Sequence, residues 1–256
     1  MRVLIITAAG MAVRFNKDLC QETAKCIYYE NSPKNSLLYQ LCLKADDCDK
    51  IIIVSGYQSE AIDKYIKANM SSFVAKIQMV FNPKFNTYGS GYSFMLGLEA
   101  SRKLNPDEII FVEGDLYFDN DSFKKIIFSK KDIMAINTKP IKADKSVVIY
   151  EDTKRHIKYI YDARHNALNI MEPFLAVYNS AQIWKFANPM RIYDIVKNLS
   201  QKQIESSNLE IVNKYFSANA IEEIEIVTMH DWINCNTIND YKEMLDKINN
   251  IDDRGI

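Results

Sequence analysis

The chain has 256 residues, 48% of them hydrophobic and 25% charged, and a formal net charge of −1. That length and apolar share fit one large α/β domain with a full core, and near-neutral charge argues against nucleic acid or an anionic membrane surface as partner. No apolar run is long enough to span a membrane, and Arg2 opens a strand rather than a signal peptide, so a soluble, cytoplasmic protein is expected.

Arg2-Val3-Leu4-Ile5-Ile6-Thr7 is a β-branched, apolar run of strand length that ends at Ala8-Ala9-Gly10. A loop carrying Arg14 and Lys25 follows, with few large aliphatic side chains. Leu37, Leu38 and Leu41 have helical spacing over 36–44, residues 51–54 form a continuous apolar strand stopped by Gly56, and Ile62, Tyr65 and Ile66 mark a helix over 59–68. Residues 78–81 predict a third strand ended by Asn82-Pro83, and the loop Asn86-Thr87-Tyr88-Gly89-Ser90-Gly91 leads into a helix through Phe94, Leu98 and Ser101. Residues 109–112 are a fourth buried strand that runs into Glu113-Gly114-Asp115. This alternation predicts a mostly parallel sheet.

Beyond residue 140 the pattern changes. Residues 145–150 and 156–161 predict antiparallel strands across an Asp152-Thr153 turn, and 172–178 a further strand. Residues 180–217 predict two or three helices, 223–228 a late strand, and Thr237-x-x-Asp240 the start of a last helix. Cysteines stand at 20, 26, 42, 48 and 235, an odd set without a Cys-x-x-Cys pair, which favours reduced structural thiols over disulfides or a zinc site.

A buried strand opening into small residues lets a ligand approach the backbone, and loop amides can point at phosphate oxygens with Arg14 and Lys25 as countercharge. The loop is not a Walker motif, since no Gly-Lys-Ser/Thr closes it, nor a dinucleotide fingerprint, since Gly10 is its lone glycine. Asp115 ends a buried strand, where open α/β sheets bind ligands and where a carboxylate suits a Mg²⁺ that also bridges phosphates; the other reading is a cap for the helix near 119–128. The small residues at 89–91 let a base lie against backbone, with Tyr88 or Ser90 at its edge, or simply start a helix.

Thr7-Ala8-Ala9-Gly10-Met11-Ala12-Val13-Arg14 with Ala24-Lys25, the 82–93 segment, Val112-Glu113-Gly114-Asp115 and the 232–241 segment follow one another in the chain. In this order they resemble the signature motifs of the nucleoside-diphosphate-sugar pyrophosphorylase-like nucleotidyltransferases. Four positions depart: Ala12 stands for a second glycine, Ala24 for a proline, Asn234 for a glutamate, and Asn236 for an aspartate that serves as a metal ligand. The resemblance implies an α/β fold with a Rossmann-like, mostly parallel mixed sheet flanked by helices and a small antiparallel and helical elaboration. It also implies one domain over 1–256, with a nucleotide-binding part to about 140, an acceptor-binding part over 141–235 and a closing helix over 237–249.

By the same resemblance, Lys25, Arg14 and Asp115 are catalytic. Ala8, Ala9, Gly10, Tyr88, Ser90 and Gly114 would border the nucleotide, and Asp115 and Asn236 would hold Mg²⁺. Size and motif spacing look most like small cytidylyltransferases that use CTP to activate phosphocholine, phosphoglutamine or a similar phosphorylated small molecule, with a role in surface polysaccharide or capsule synthesis. The acceptor is expected over 145–178, at Lys158, Arg164, Glu172 and Tyr178, where a carboxylate and aromatics suit an ammonium; the tyrosines there are otherwise half-buried strand residues. The competing expectations are a sugar-1-phosphate uridylyl- or thymidylyltransferase, and a nucleotide-binding regulatory module without turnover.

Overall fold

Apolar runs of strand length build the first half of a twisted sheet. In the computed structural model, which describes residues 1–143, 146–160, 167–217 and 221–252, strands β1 (Arg2–Ala8), β2 (Lys50–Ser55), β3 (Ile77–Phe81) and β4 (Glu108–Glu113) lie parallel in the order β3-β2-β1-β4. The runs of β1, β2 and β4 are continuous because both faces are covered, whereas β3, at the edge, carries Gln78 and is only partly buried. Leu4, Ile6, Ile51, Ile53, Ile110 and Val112 meet helices α2 (Leu37–Lys44), α3 (Ser59–Asn69) and α5 (Asn120–Phe128) on one side. Val3, Ile5, Ile52, Val54, Ile109 and Phe111 meet α4 (Ser90–Arg102), α6 (Pro189–Lys197) and α8 (Leu209–Phe216) on the other.

The sheet continues through β9 (Phe174–Phe186), which runs antiparallel between β4 and β6 (Asp132–Asn137), to β10 (Ile224–Met229) at the far edge. The first part of β9 leaves this sheet to pair with the hairpin of β7 (Val148–Asp152) and β8 (Ile157–Ile160). The central sheet is therefore mixed but mostly parallel, as the motifs imply.

Besides β6, which was not expected as a strand, two elements stand out as different from expectation. Strand β9 runs on to Phe186, so the helices expected from residue 180 begin only with α6 and continue as α7 (Gln201–Ile204) and α8. Its second half lies inside the sheet, so it lacks strand alternation, and Lys185 disguises it further. That ammonium is fully buried, paired with Glu108 at 2.7 Å and donating to the carbonyls of Ile127 and Ser129 at 3.0 and 2.6 Å. It thereby satisfies the carbonyls that the end of α5 leaves without helical partners. The second difference is α1 (Val13–Leu19), expected as loop: buried Phe15 anchors this short helix against Tyr241 and Ile248 of α9 (Ile238–Asp252). The start of α9 follows the expected capping pattern, with the Thr237 amide donating to the Asp240 carboxylate at 2.8 Å and the Asp240 amide to Thr237 Oγ1 at 3.2 Å.

Candidate active site

The carboxyl ends of β1 and β4 form one lip of a cleft of about 350 Å³, bordered by Ala8, Ala9, Gly10, Lys25, Tyr88, Ser90, Gly114 and Asp115 among others. Space above Gly10 is open: a Cβ placed there would have no neighbour within 4 Å. Ala12, where the resembling motif has its second glycine, holds a left-handed backbone with φ 53, the region in which a glycine carries no steric penalty. Gly114 is different, because its amide donates to the Thr7 carbonyl at 2.9 Å and a Cβ there would lie 2.7 Å from that oxygen. Gly114→Ala is expected to push the β1 and β4 ends apart, at about 1–3 kcal/mol of stability, read as a lower urea midpoint with unchanged slope.

Asp115 and Asn236 are far apart in the chain, and a short ribbon brings them together. Strands β5 (Leu116–Tyr117) and β11 (Ile233–Asn234) pair antiparallel, and the Cys235 amide donates to the Asp115 carbonyl at 2.8 Å. Lys25 starts a single 3-10 turn and reaches both, its Nζ donating to Asp115 Oδ2 at 3.0 Å and to Asn236 Oδ1 at 3.2 Å. The other Asp115 oxygen, Oδ1, is buried and has no hydrogen-bond partner. Asp119, not Asp115, caps α5, its carboxylate accepting from the Ser122 amide at 2.7 Å. That leaves Asp115 without a structural duty at the helix.

The 82–93 segment is fixed from below and from the side. Asn82 Nδ2 donates to Ser93 Oγ at 2.8 Å, and the amides of Gly89 and Gly91 donate to the carbonyls of Glu205 and Ser206 at 2.8 and 3.0 Å. Ser90 Oγ accepts from the Asn208 amide, and Tyr88 Oη from Gln201 Nε2. Asn208 also donates to Glu113 Oε1 at 2.6 Å. Glu113 ends the apolar run of β4 two residues before Asp115, and burial, followed by the Asp115 charge, pushes its carboxyl up from 4.5 to about 7. A folded value above the unfolded one means stability that is full below about pH 4.5 and is lost as pH rises through about 7. Glu113→Gln should flatten that loss, measured as denaturation midpoints at about pH 5 and about pH 8.

Glu113 and Asp115 also line a second cavity of about 540 Å³, together with Arg14, Lys139, Lys142, Gln182, Trp232 and Asn236. Arg14 is exposed on α1 and borders this second cavity rather than the first. The residues expected to bind the acceptor lie elsewhere. Lys158 pairs with Glu172 and, at 3.1 Å, with Asp152, while Tyr150 Oη donates to Glu172 at 2.7 Å. Tyr178 packs against the core beside β7. None of these three lines either cavity, and Arg164 lies outside the described residues. Their charges and aromatics are spent on cross-strand pairing, since Tyr150 stands opposite Lys158 in the hairpin.

Sequence reasoning passed over Glu113, Asn208, Lys139, Lys142 and Gln182. Glu113 carried a readable signal, a carboxylate closing a buried strand beside the proposed metal ligand. The others carried none, because they depend on β9 and on loops whose place in the fold was not read. Of the cysteines, all five are free, and burial pushes the Cys26 thiol up to about 12, which leaves it unreactive near the cleft.

The arrangement of sheet and helices recurs in solved nucleotidyltransferase structures. The inositol-1-phosphate CTP transferase from T. maritima superposes with a TM-score of 0.68 at 16% identity, covering 95% of this chain and 95% of that one. The CTP:phosphocholine cytidylyltransferase from Streptococcus pneumoniae gives 0.62 at 16% identity, over 97% of this chain and 100% of that one. A Bacillus anthracis protein assigned as a glucose-1-phosphate thymidylyltransferase gives 0.70 at 13%, over 95% and 94%. The fold is thus that of the nucleotidyltransferases. Residues 21–248 match the family described as a domain of unknown function (DUF6564), and the chain belongs to it. In sequence, a choline-phosphate cytidylyltransferase from Haemophilus influenzae is 34% identical over 92 residues, a stretch that spans 36% of each protein. No helix among the described residues is long and apolar enough to cross a membrane.

Proposed function

We propose that this protein is a Mg²⁺-dependent cytidylyltransferase that joins CTP to a phosphorylated small molecule and releases pyrophosphate. One observation carries the reading: Lys25, Asp115 and Asn236 meet where the two cavities touch. The similarity to proteins named as CTP-using transferases supports the choice of nucleotide.

An acceptor phosphomonoester has a second pKa of about 6 and already carries its attacking oxyanion at neutral pH, so no nucleophilic side chain is required. That oxygen forms a bond to the α-phosphorus of CTP as the bond to the bridging oxygen breaks, and pyrophosphate leaves with the electron pair. The chain supplies position and charge. Residues 8–12 line the first cleft, where their amides would meet nucleotide phosphates, Lys25 neutralises the phosphate beside Asp115, and Arg14 borders the second cavity, from which the acceptor comes.

The residues fit a magnesium ion. Asp115 Oδ1 is a buried, unpartnered hard oxygen, and Mg²⁺ bound by one or two carboxylates keeps its remaining positions for water and substrate phosphates. Asp115 would hold it, with Asn236 and Glu113 beside it; when bound, the ion offsets phosphate charge. No group of three or more His, Cys, Asp and Glu side chains that could hold a metal gathers among the described residues.

Thermal unfolding with Mg²⁺ and each of CTP, UTP, dTTP, GTP and ATP tests the nucleotide assignment. The largest rise in Tm is expected with CTP, and an equal or larger rise with UTP or dTTP would overturn it.

A further inference from the structure

Strand β9 interrupts its own ladder at Gln182. Between the pairs Met134↔Trp184 and Ile136↔Ser180, Ala135 of β6 alone faces Ala181, Gln182 and Ile183 of β9, and pairing with β4 stops at Val112↔Ile183. Gln182 takes a left-handed backbone with φ 57, a conformation that non-glycine residues seldom hold in a strand. Neighbouring side chains hold the bulge in place. Trp232 Nε1 donates to the Ala181 carbonyl at 2.8 Å, Asn137 Nδ2 to the Ser180 carbonyl at 2.9 Å, and Ser180 Oγ accepts from the Gln182 amide at 3.1 Å. Bulges re-aim side chains next to active sites, and strain that the surroundings over-determine collects there.

Here the re-aimed group is a primary amide. Gln182 is only 6% exposed and lines the second cavity, and its amide atoms are not among the buried side-chain atoms left without a partner, so what remains accessible of the side chain is its polar end. A primary amide offers two donors and an acceptor, so one that meets a cavity can bond a polar ligand group there. The same cavity holds Arg14 and Lys142, neither of which forms an ion pair among the described residues, whereas Lys139 is engaged with Glu243 at 3.0 Å. Trp232 is the aromatic side chain in that lining, short of the cage that captures a quaternary ammonium.

We infer that Gln182 selects the acceptor: its amide bonds a neutral hydroxyl or carboxamide on the acceptor's tail, while Arg14 and Lys142 face its phosphate. The inference rests on the transferase reading above and narrows its acceptor to small phosphates with polar, hydrogen-bonding tails rather than trimethylammonium ones.

Steady-state pyrophosphate release at fixed CTP tests it, with wild type and Gln182→Met compared on phosphate acceptors bearing hydroxyl or carboxamide tails and on phosphocholine. Methionine keeps the length and the unbranched Cβ, so the backbone conformation is no harder to hold. The acceptor KM is expected to rise about 10-fold or more for the polar acceptors, the size of a lost buried hydrogen bond. The kcat/KM for phosphocholine, and CTP affinity by calorimetry, should stay unchanged. Gln182→Gly, which relieves the backbone and removes the amide, should give the same selective loss even if the methionine variant fails to fold. Unchanged acceptor KM in a folded variant, or a wild type that prefers phosphocholine, overturns the inference and leaves the transferase reading intact. A wild type that releases no pyrophosphate with any acceptor overturns both.

Discussion

Lys25→Ala is expected to slow pyrophosphate release by about 100-fold or more, while CTP still binds and the fold survives. The Lys25 and Asp115 side chains are only 15% and 23% exposed, so the ammonium acts where water screens it poorly. A cation in that setting is worth most when negative charge gathers on the phosphate under attack. Removing it also leaves Asp115 with neither oxygen partnered, which should cost about 1–3 kcal/mol of stability. Lys25→Arg should recover little of the rate, because a planar fork does not replace a compact ammonium held between two oxygens. Turnover near wild type in the alanine variant would remove Lys25 from the chemistry.

Asp115→Asn is expected to have an effect of similar size by another route. An asparagine oxygen can still accept from Lys25, so the local hydrogen bonding and the β5–β11 ribbon should persist. What disappears is the negative charge of a carboxylate with a buried, unpartnered oxygen. Because Asn236 is already uncharged, the site has little left to hold a divalent cation. Turnover should fall about 100-fold or more, and the Mg²⁺ concentration for half-maximal rate should rise. An unchanged Mg²⁺ dependence would place the ion elsewhere.

The first half of the chain was legible because its central strands are buried on both faces. Continuous runs such as 51–54 and 109–112 admit few other readings, and the motif residues Lys25 and Asp115 flank strand ends that topology must gather. The meeting of Asp115 with Asn236 depends on a ribbon of two residues per strand, too short to leave a periodic pattern. The expectation for residues 145–178 rested on composition, which is less decisive. Lys158, Glu172 and the neighbouring tyrosine have the composition of a binding site, but a hairpin uses the same residue types to pair across its strands, and only register separates the two. The buried half of β9 hid behind Lys185, and with it hid the bulge that puts Gln182 into the second cavity.

The central claim is tested most directly by pyrophosphate release with Mg²⁺, crossing CTP, UTP, dTTP, GTP and ATP with phosphocholine, phosphoethanolamine, phosphorylated amino acids and amides, and sugar 1-phosphates. The account predicts release with CTP and a phosphorylated small molecule, and none with the other nucleotides. Release with UTP or dTTP and a sugar 1-phosphate, or CTP binding without release for any acceptor, would contradict it.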